Sequence, residues 1–131
     1  MVPDLQSSLI CDDVRQESNG KFMLIGLFDA VWSPHFPLTV PKLCLVNRWC
    51  SGQGDFTQQI RIFMPDQKTL LVGGRPVPVH LSSPEVTATN VEMFINITFQ
   101  QTGTYWVEVL LGDDLKIRYP LRVRELSDPA E

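Results

Sequence analysis

The chain is expected to fold as a single antiparallel β-sandwich of about eight or nine strands, all-β and immunoglobulin-like, and three observations carry that expectation. Residues 91–124 form three consecutive runs in which apolar and polar residues alternate, the period of a half-buried strand. Ten prolines and eight glycines are spread between the apolar runs, which suits short strands joined by turns. Helical periodicity is nearly absent.

The elements follow in order. Segments 8–17 and 21–31 flank Asn19-Gly20, a strong two-residue hairpin signal. That loop pairs Ser18 with Lys21. It sets Ile10, Asp12 and Val14 on one face with Met23, Ile25 and Leu27, and Cys11, Asp13 and Arg15 on the other with Phe22 and Leu24. The second strand is apolar on both faces, the mark of a strand covered on both sides or meeting another subunit. Residues 33–42 contain three prolines and read as a long crossing loop, because each proline removes a ladder donor. Strands follow at 42–50 and 56–64, a short one at 69–72, and an edge-like one around Pro76 and Pro78.

In the terminal meander, Val91, Met93, Ile95, Ile97 and Phe99 share one face, and Glu92, Asn96, Thr98 and Gln100 share the other, with Phe94 as the large apolar exception. The last hairpin is fixed by parity, because a one-residue slip exchanges the faces of a strand. A three-residue loop, Gly112-Asp113-Asp114, places Leu111 opposite Leu115, Val109 opposite Ile117 and Val107 opposite Tyr119. Glu108 then faces Arg118, and Trp106 faces Pro120. Lys116, Arg118, Arg122 and Arg124 form a basic outward line with Trp106 near its middle, a candidate contact surface because tryptophan and arginine are enriched among interface hot spots. Phe22 and Leu24 complete the candidate interaction residues.

Composition narrows the function classes. A chain of 131 residues with 44% hydrophobic content suits one domain, 1–131, with an ordered core over 8–125 and a flexible tail at 126–131. The net charge of −4 supplies no basic field for nucleic acid or an anionic membrane. The first residues lack a basic and apolar leader, and no run approaches a membrane span, so a cytoplasmic location is expected. Cys11, Cys44 and Cys50 are odd in number and lack CxxC spacing, so they imply neither a disulfide framework nor a zinc site.

Thr102-Gly103-Thr104-Tyr105-Trp106-Val107 resembles the Gly-x-Tyr-x-Cys start of strand F in immunoglobulin-like sandwiches, with Val107 in place of the disulfide cysteine and Gln101 in place of the usual acidic residue. The resemblance implies a tyrosine-corner role for Tyr105. The stretches ICDDVRQESNGKFMLIGLFDAV and GTYWVEVLLGDDLKIRYPLRV look like a family of small uncharacterised bacterial proteins, a domain of unknown function. That resemblance implies a bacterial source and a sandwich, and no activity.

Catalysis has no local signature: His35 and His80 lie in or near proline-rich segments, and no nucleophile elbow or phosphate loop is present. Neither a cofactor nor a metal is implied, because the aspartates fall at ordinary turns. Asp12, set among Ile10, Val14 and Ile25 by the hairpin register, would need a partner such as Arg48 or Arg61. The expectation is a non-enzymatic module acting through a protein partner or its own copies. The alternative is carbohydrate or small-ligand binding at Trp32 and Trp106, with Trp49 in the core beside Leu43 and Leu45.

Overall fold

The computed structural model describes residues 1–127. It is all-β, with ten strands: β1 Asp4–Gln16, β2 Phe22–Leu27, β3 Ala30–Ser33, β4 Leu38–Cys50, β5 Gly54–Phe63, β6 Leu70–Gly73, β7 Val77–Leu81, β8 Ala88–Phe99, β9 Gly103–Leu111 and β10 Asp114–Glu125. A four-stranded sheet in the order β2-β1-β4-β8 faces a six-stranded sheet in the order β3-β10-β9-β5-β6, with β7 also paired to β5. The expected strand over 21–31 divides at Phe28-Asp29, and its second part, β3, crosses to the other sheet. There it runs parallel to β10, so the sandwich is not wholly antiparallel. Ordered strand begins at Asp4, earlier than expected, and most of the 126–131 tail, residues 128–131, lies outside the described residues.

The dry interior between the sheets is built from Leu43, Leu45 and Trp49 of β4, Ile60 and Ile62 of β5, and Tyr105, Val107 and Val109 of β9. Trp49 faces inward with Leu43 and Leu45, as its parity with them predicts, and its indole N–H donates to Gln58 Oε1 across the sheets at 2.8 Å. The buried Tyr105 packs edge-on to Phe99, ring centroids 5.0 Å apart. Its hydroxyl donates to the Gln101 carbonyl at 2.8 Å.

Four local departures from the expected register decide what faces where. The first hairpin closes through Ser18-Asn19-Gly20, with Glu17 N–H donating to Lys21 O at 2.8 Å and Gln16 opposite Phe22. Gly20 alone takes the positive φ, 91°, which makes this the three-residue turn ending in a left-handed glycine instead of type I′. The added residue moves the pairing by one. Val14 now faces Leu24. Asp12 is exposed, and it is Asp13, level with Lys42 by the β1–β4 register, that takes the ion pairs, with Lys42 Nζ at 2.8 Å and Arg15 Nε at 2.9 Å, in place of the expected Asp12 pairing with Arg48 or Arg61.

The second departure is at Gly26, φ 72°, where a Cβ would collide with the Asp12 carboxylate. The alternation breaks there, so Cys11 and Val14, three apart in β1, join Leu24, Cys44, Val46 and Val91 in one small cluster outside the four-stranded sheet. The third is in β8, where Asn96 adopts φ 54°. Ile97 and Phe99 are buried as expected, but before the kink the faces are reversed: Glu92 and Phe94 point inward, while Met93 and Ile95 are 52% and 56% exposed. The fourth is the last hairpin, which closes with a two-residue turn, Asp114 opposite Leu111, and recovers the expected register through a bulge at Lys116. From Ile117 onward, Val109, Glu108, Val107 and Trp106 meet Ile117, Arg118, Tyr119 and Pro120 as parity requires.

The proline segment is also shorter than expected, because β4 begins at Leu38. Over Leu38–Leu43, β4 is paired with β8 alone, so Pro41 sits where one flank of the strand needs no donor.

The kink at Asn96 yields a direct test. Asn96→Val should lower stability in urea unfolding by about 1–3 kcal/mol, because a β-branched residue is strained at positive φ. Asn96→Gly should change it by less than about 1 kcal/mol. Equal effects would show that the kink does not constrain the fold, since residue 96 is exposed.

Candidate functional site

The residues expected to form one interaction surface are divided between opposite faces. Trp106 and Arg118 lie on the outer face of the six-stranded sheet, with the guanidinium 6.0 Å from the ring centroid. Arg118 also meets Glu108 at 3.3 Å and donates to Gln67 Oε1 at 3.0 Å. Pairs of this exposure contribute about 1 kcal/mol or less. Arg122 and Arg124 continue the line beside β3, Arg124 opposite Trp32, while Lys116 is the bulged residue of the hairpin. Trp32 is 57% exposed and shares this face with Trp106. Two strand spacings and four residues of rise separate the rings by roughly 16 Å. Trp49, fully buried, takes no part.

Phe22 and Leu24 lie across the molecule, on the outer face of the four-stranded sheet. They border a groove of about 690 Å³. The cross-strand partners Leu9 and Val46 supply more apolar surface. Lys21, from the hairpin turn, and Arg48, from β4, are its only charged lining residues. Arg48 Nε donates to Thr89 Oγ1 at 3.1 Å. Among the described residues neither cation has an acidic partner within salt-bridge distance. Sequence reasoning missed Lys21, Arg48, Leu9 and Val46, because the groove depends on the one-residue change in hairpin register.

The apolar character of this side extends beyond the groove. Met23, Ile25 and Leu27 of β2 are exposed, of which Met23 and Ile25 alternate with Phe22 and Leu24 and point to the strand's other face, and so are Met93 and Ile95 of β8. Beneath them Cys11 and Cys44, register partners on β1 and β4, are fully buried free thiols. Burial pushes both thiols up, an effect that the charge of Lys42 partly offsets at Cys44, so both resemble small apolar residues in their surroundings. Cys50, half-buried, is likewise free and unbridged.

A third polar feature is inside. Asn47 and Asn90 are cross-strand partners, and Glu92, two residues along β8, packs so closely against Gly74 that a Cβ there would strike its carboxylate. Both polar atoms of Asn47, Gln58 Nε2, Asn90 Oδ1 and Glu92 Oε2 are buried without a hydrogen-bond partner among the described residues. Burial raises the Glu92 carboxyl above its ordinary value, partly offset by the charge of Arg75. Elsewhere, His80 Nδ1 lies 2.7 Å from Asp55 Oδ1. Both side chains are widely exposed and line none of the clefts described. Among the described residues no three His, Cys, Asp or Glu side chains are gathered as for a metal ion, and no helix is long and apolar enough to cross a membrane.

Comparison with known proteins places the chain. The profile of a family of unknown function, DUF6941, matches residues 6–124. The chain belongs to this family. No curated protein matches it. Among solved structures, β-glucosidase 3B from Thermotoga neapolitana, in its complexes with glycerol and with glucose, aligns at 15% identity and a TM-score of 0.47. The alignment covers 88% of this chain and 16% of that one.

The titrating groups of this DUF6941 chain set its acid behaviour. Asp13 is held at about 2 by Lys42 and then Arg15, so its contribution is present above its ordinary 3.8 and is lost as the pH falls toward 2. Glu92 acts oppositely: its contribution is full below the ordinary 4.5 and is lost as the pH rises through the raised value. Glu92→Gln should therefore gain in urea midpoint relative to the native protein between about pH 4 and pH 7. A difference that stays constant with pH would show that Glu92 ionises freely in the fold.

Proposed function

We propose that the chain is a non-enzymatic interaction module that self-associates by pairing the β2 edges of two copies. The single observation behind this reading is that β2, FMLIGL, is an edge strand with neither a charge nor a proline. Natural sheets blunt their edges with brevity, charge, proline or a bulge. The other edges here follow that practice: β3 and β6 have four residues each, β7 contains Pro78, and β8 is kinked in its interior at Asn96, whereas the break in β2 falls at Gly26 and leaves Phe22 to Ile25 in regular register.

A second copy suits this edge for a specific reason. Antiparallel pairing about a two-fold axis sets a strand against itself, and a charge near the axis would face its own copy. The uncharged run from Phe22 to Leu27 meets that requirement, and joining the edges would make one continuous eight-stranded sheet across both copies. Main-chain hydrogen bonds would provide affinity, and the apolar side chains of both faces would leave water.

Light scattering on the purified protein should give twice the chain mass at micromolar concentration. Ile25→Lys, at an exposed position, should return the monomer with an unchanged circular dichroism spectrum. A native protein that remains monomeric at about millimolar concentration, far above the Kd of an ordinary specific interface, overturns the reading.

A second reading is carbohydrate binding, favoured by Trp32 and Trp106 on one outer face with Arg122 and Arg124 beside them. Tryptophan fluorescence titrated with a glycan panel should then respond and lose its response in Trp32→Ala. An unmoved spectrum across the panel counts against it.

A further inference from the structure

We infer that the groove outside the four-stranded sheet binds a free, single-chain aliphatic carboxylate. Its volume of about 690 Å³ falls within the range of small-ligand sites. Its lining divides as such a ligand divides. Leu9, Phe22, Leu24 and Val46 offer apolar contact for a methylene chain, and Lys21 and Arg48 offer positive charge with no carboxylate in the lining to neutralise it. On a chain of net charge −4, these two cations stand beside the apolar trough with no acidic side chain within salt-bridge distance among the described residues. The Arg48 Nε–H bond to Thr89 Oγ1, 3.1 Å, steadies the guanidinium and leaves its terminal nitrogens free for a carboxylate.

The backbone argues for an acyl chain over a peptide at this place. β1 and β4, beneath the groove, are paired with each other and with β2 and β8, so their ladder groups are committed. An extended peptide laid across the trough would find apolar side chains opposite its own N–H and C=O groups, which must be satisfied when buried. A hydrocarbon chain has no such groups. An anionic bilayer is disfavoured by the net charge, since surface attraction needs an excess of basic residues. The groove shares Phe22 and Leu24 with β2, and the two readings are told apart because one is read by ligand binding and the other by mass.

The test is calorimetric titration of the native protein with three amphiphiles of equal chain length below their micelle concentrations: dodecanoate, dodecyltrimethylammonium and dodecyl maltoside. Dodecanoate should bind about tenfold tighter than the other two, the worth of one charge-assisted contact. Amide shifts in two-dimensional NMR should map to Leu9, Phe22, Leu24 and Val46. Arg48→Gln and Lys21→Gln should each weaken dodecanoate about three- to tenfold, while Arg118→Gln, on the opposite face, should leave it unchanged. Equal affinity for the three amphiphiles, shifts confined to another surface, or binding to phosphatidylglycerol vesicles with none to monomeric dodecanoate would each overturn the inference.

Discussion

The side chains of a strand alternate, and the distribution of residues in this molecule depends on where that alternation is kept and where it is interrupted. Three residues with positive φ, Gly20, Gly26 and Asn96, make the decisive interruptions in the four-stranded sheet. Gly20 adds a residue to the first turn, Gly26 lets Asp12 lie over the backbone, and Asn96 reverses β8. Their effect is to bring Val14 and Leu24 to the apolar cluster on the outside, around Cys11, Cys44 and Val46, and to turn Asn90 and Glu92 of β8 inward beside Asn47. Without them the sheet would have the polar exterior that its alternating sequence suggests.

Much of the fold was legible. The C-terminal hairpin was readable because its partners from Ile117 onward have strict alternation on both strands, so only one parity buries Val107 and Val109. The inward Trp49 followed from Leu43 and Leu45 by the same rule. The site was less legible, because its composition depends on turn geometry that composition does not determine. Asn19-Gly20 is compatible with both a two-residue and a three-residue turn, and the choice decides whether Val14 meets Ile25 or Leu24. Asn96 gave no warning, since asparagine is common at polar strand positions and enters the left-handed region at modest cost. Only the odd placement of Phe94 on the supposed polar face hinted that β8 reverses.

The interior polar groups carry a cost that the core must absorb. An unpartnered buried donor or acceptor costs about 1–3 kcal/mol, and the fold withstands several on β4, β5 and β8. The Trp49 to Gln58 bond offsets part of this by tying the sheets together beside them. Glu92, pressed against Gly74, explains why that glycine stands at the end of β6, where any side chain would displace the carboxylate.

The parallel pairing of β3 with β10 has a consequence for the order in which the molecule can assemble. Ala30 to Ser33 bond to Arg122 to Glu125, partners 92 positions apart in the sequence (122 − 30). During synthesis β3 has no ladder partner until β10 has been made, so the β1–β2 hairpin cannot be joined to the second sheet through it before then. The hairpin partner β2 pairs with β1 as soon as both are made, so what waits for β10 is the segment AVWS and the joining of the two sheets through it.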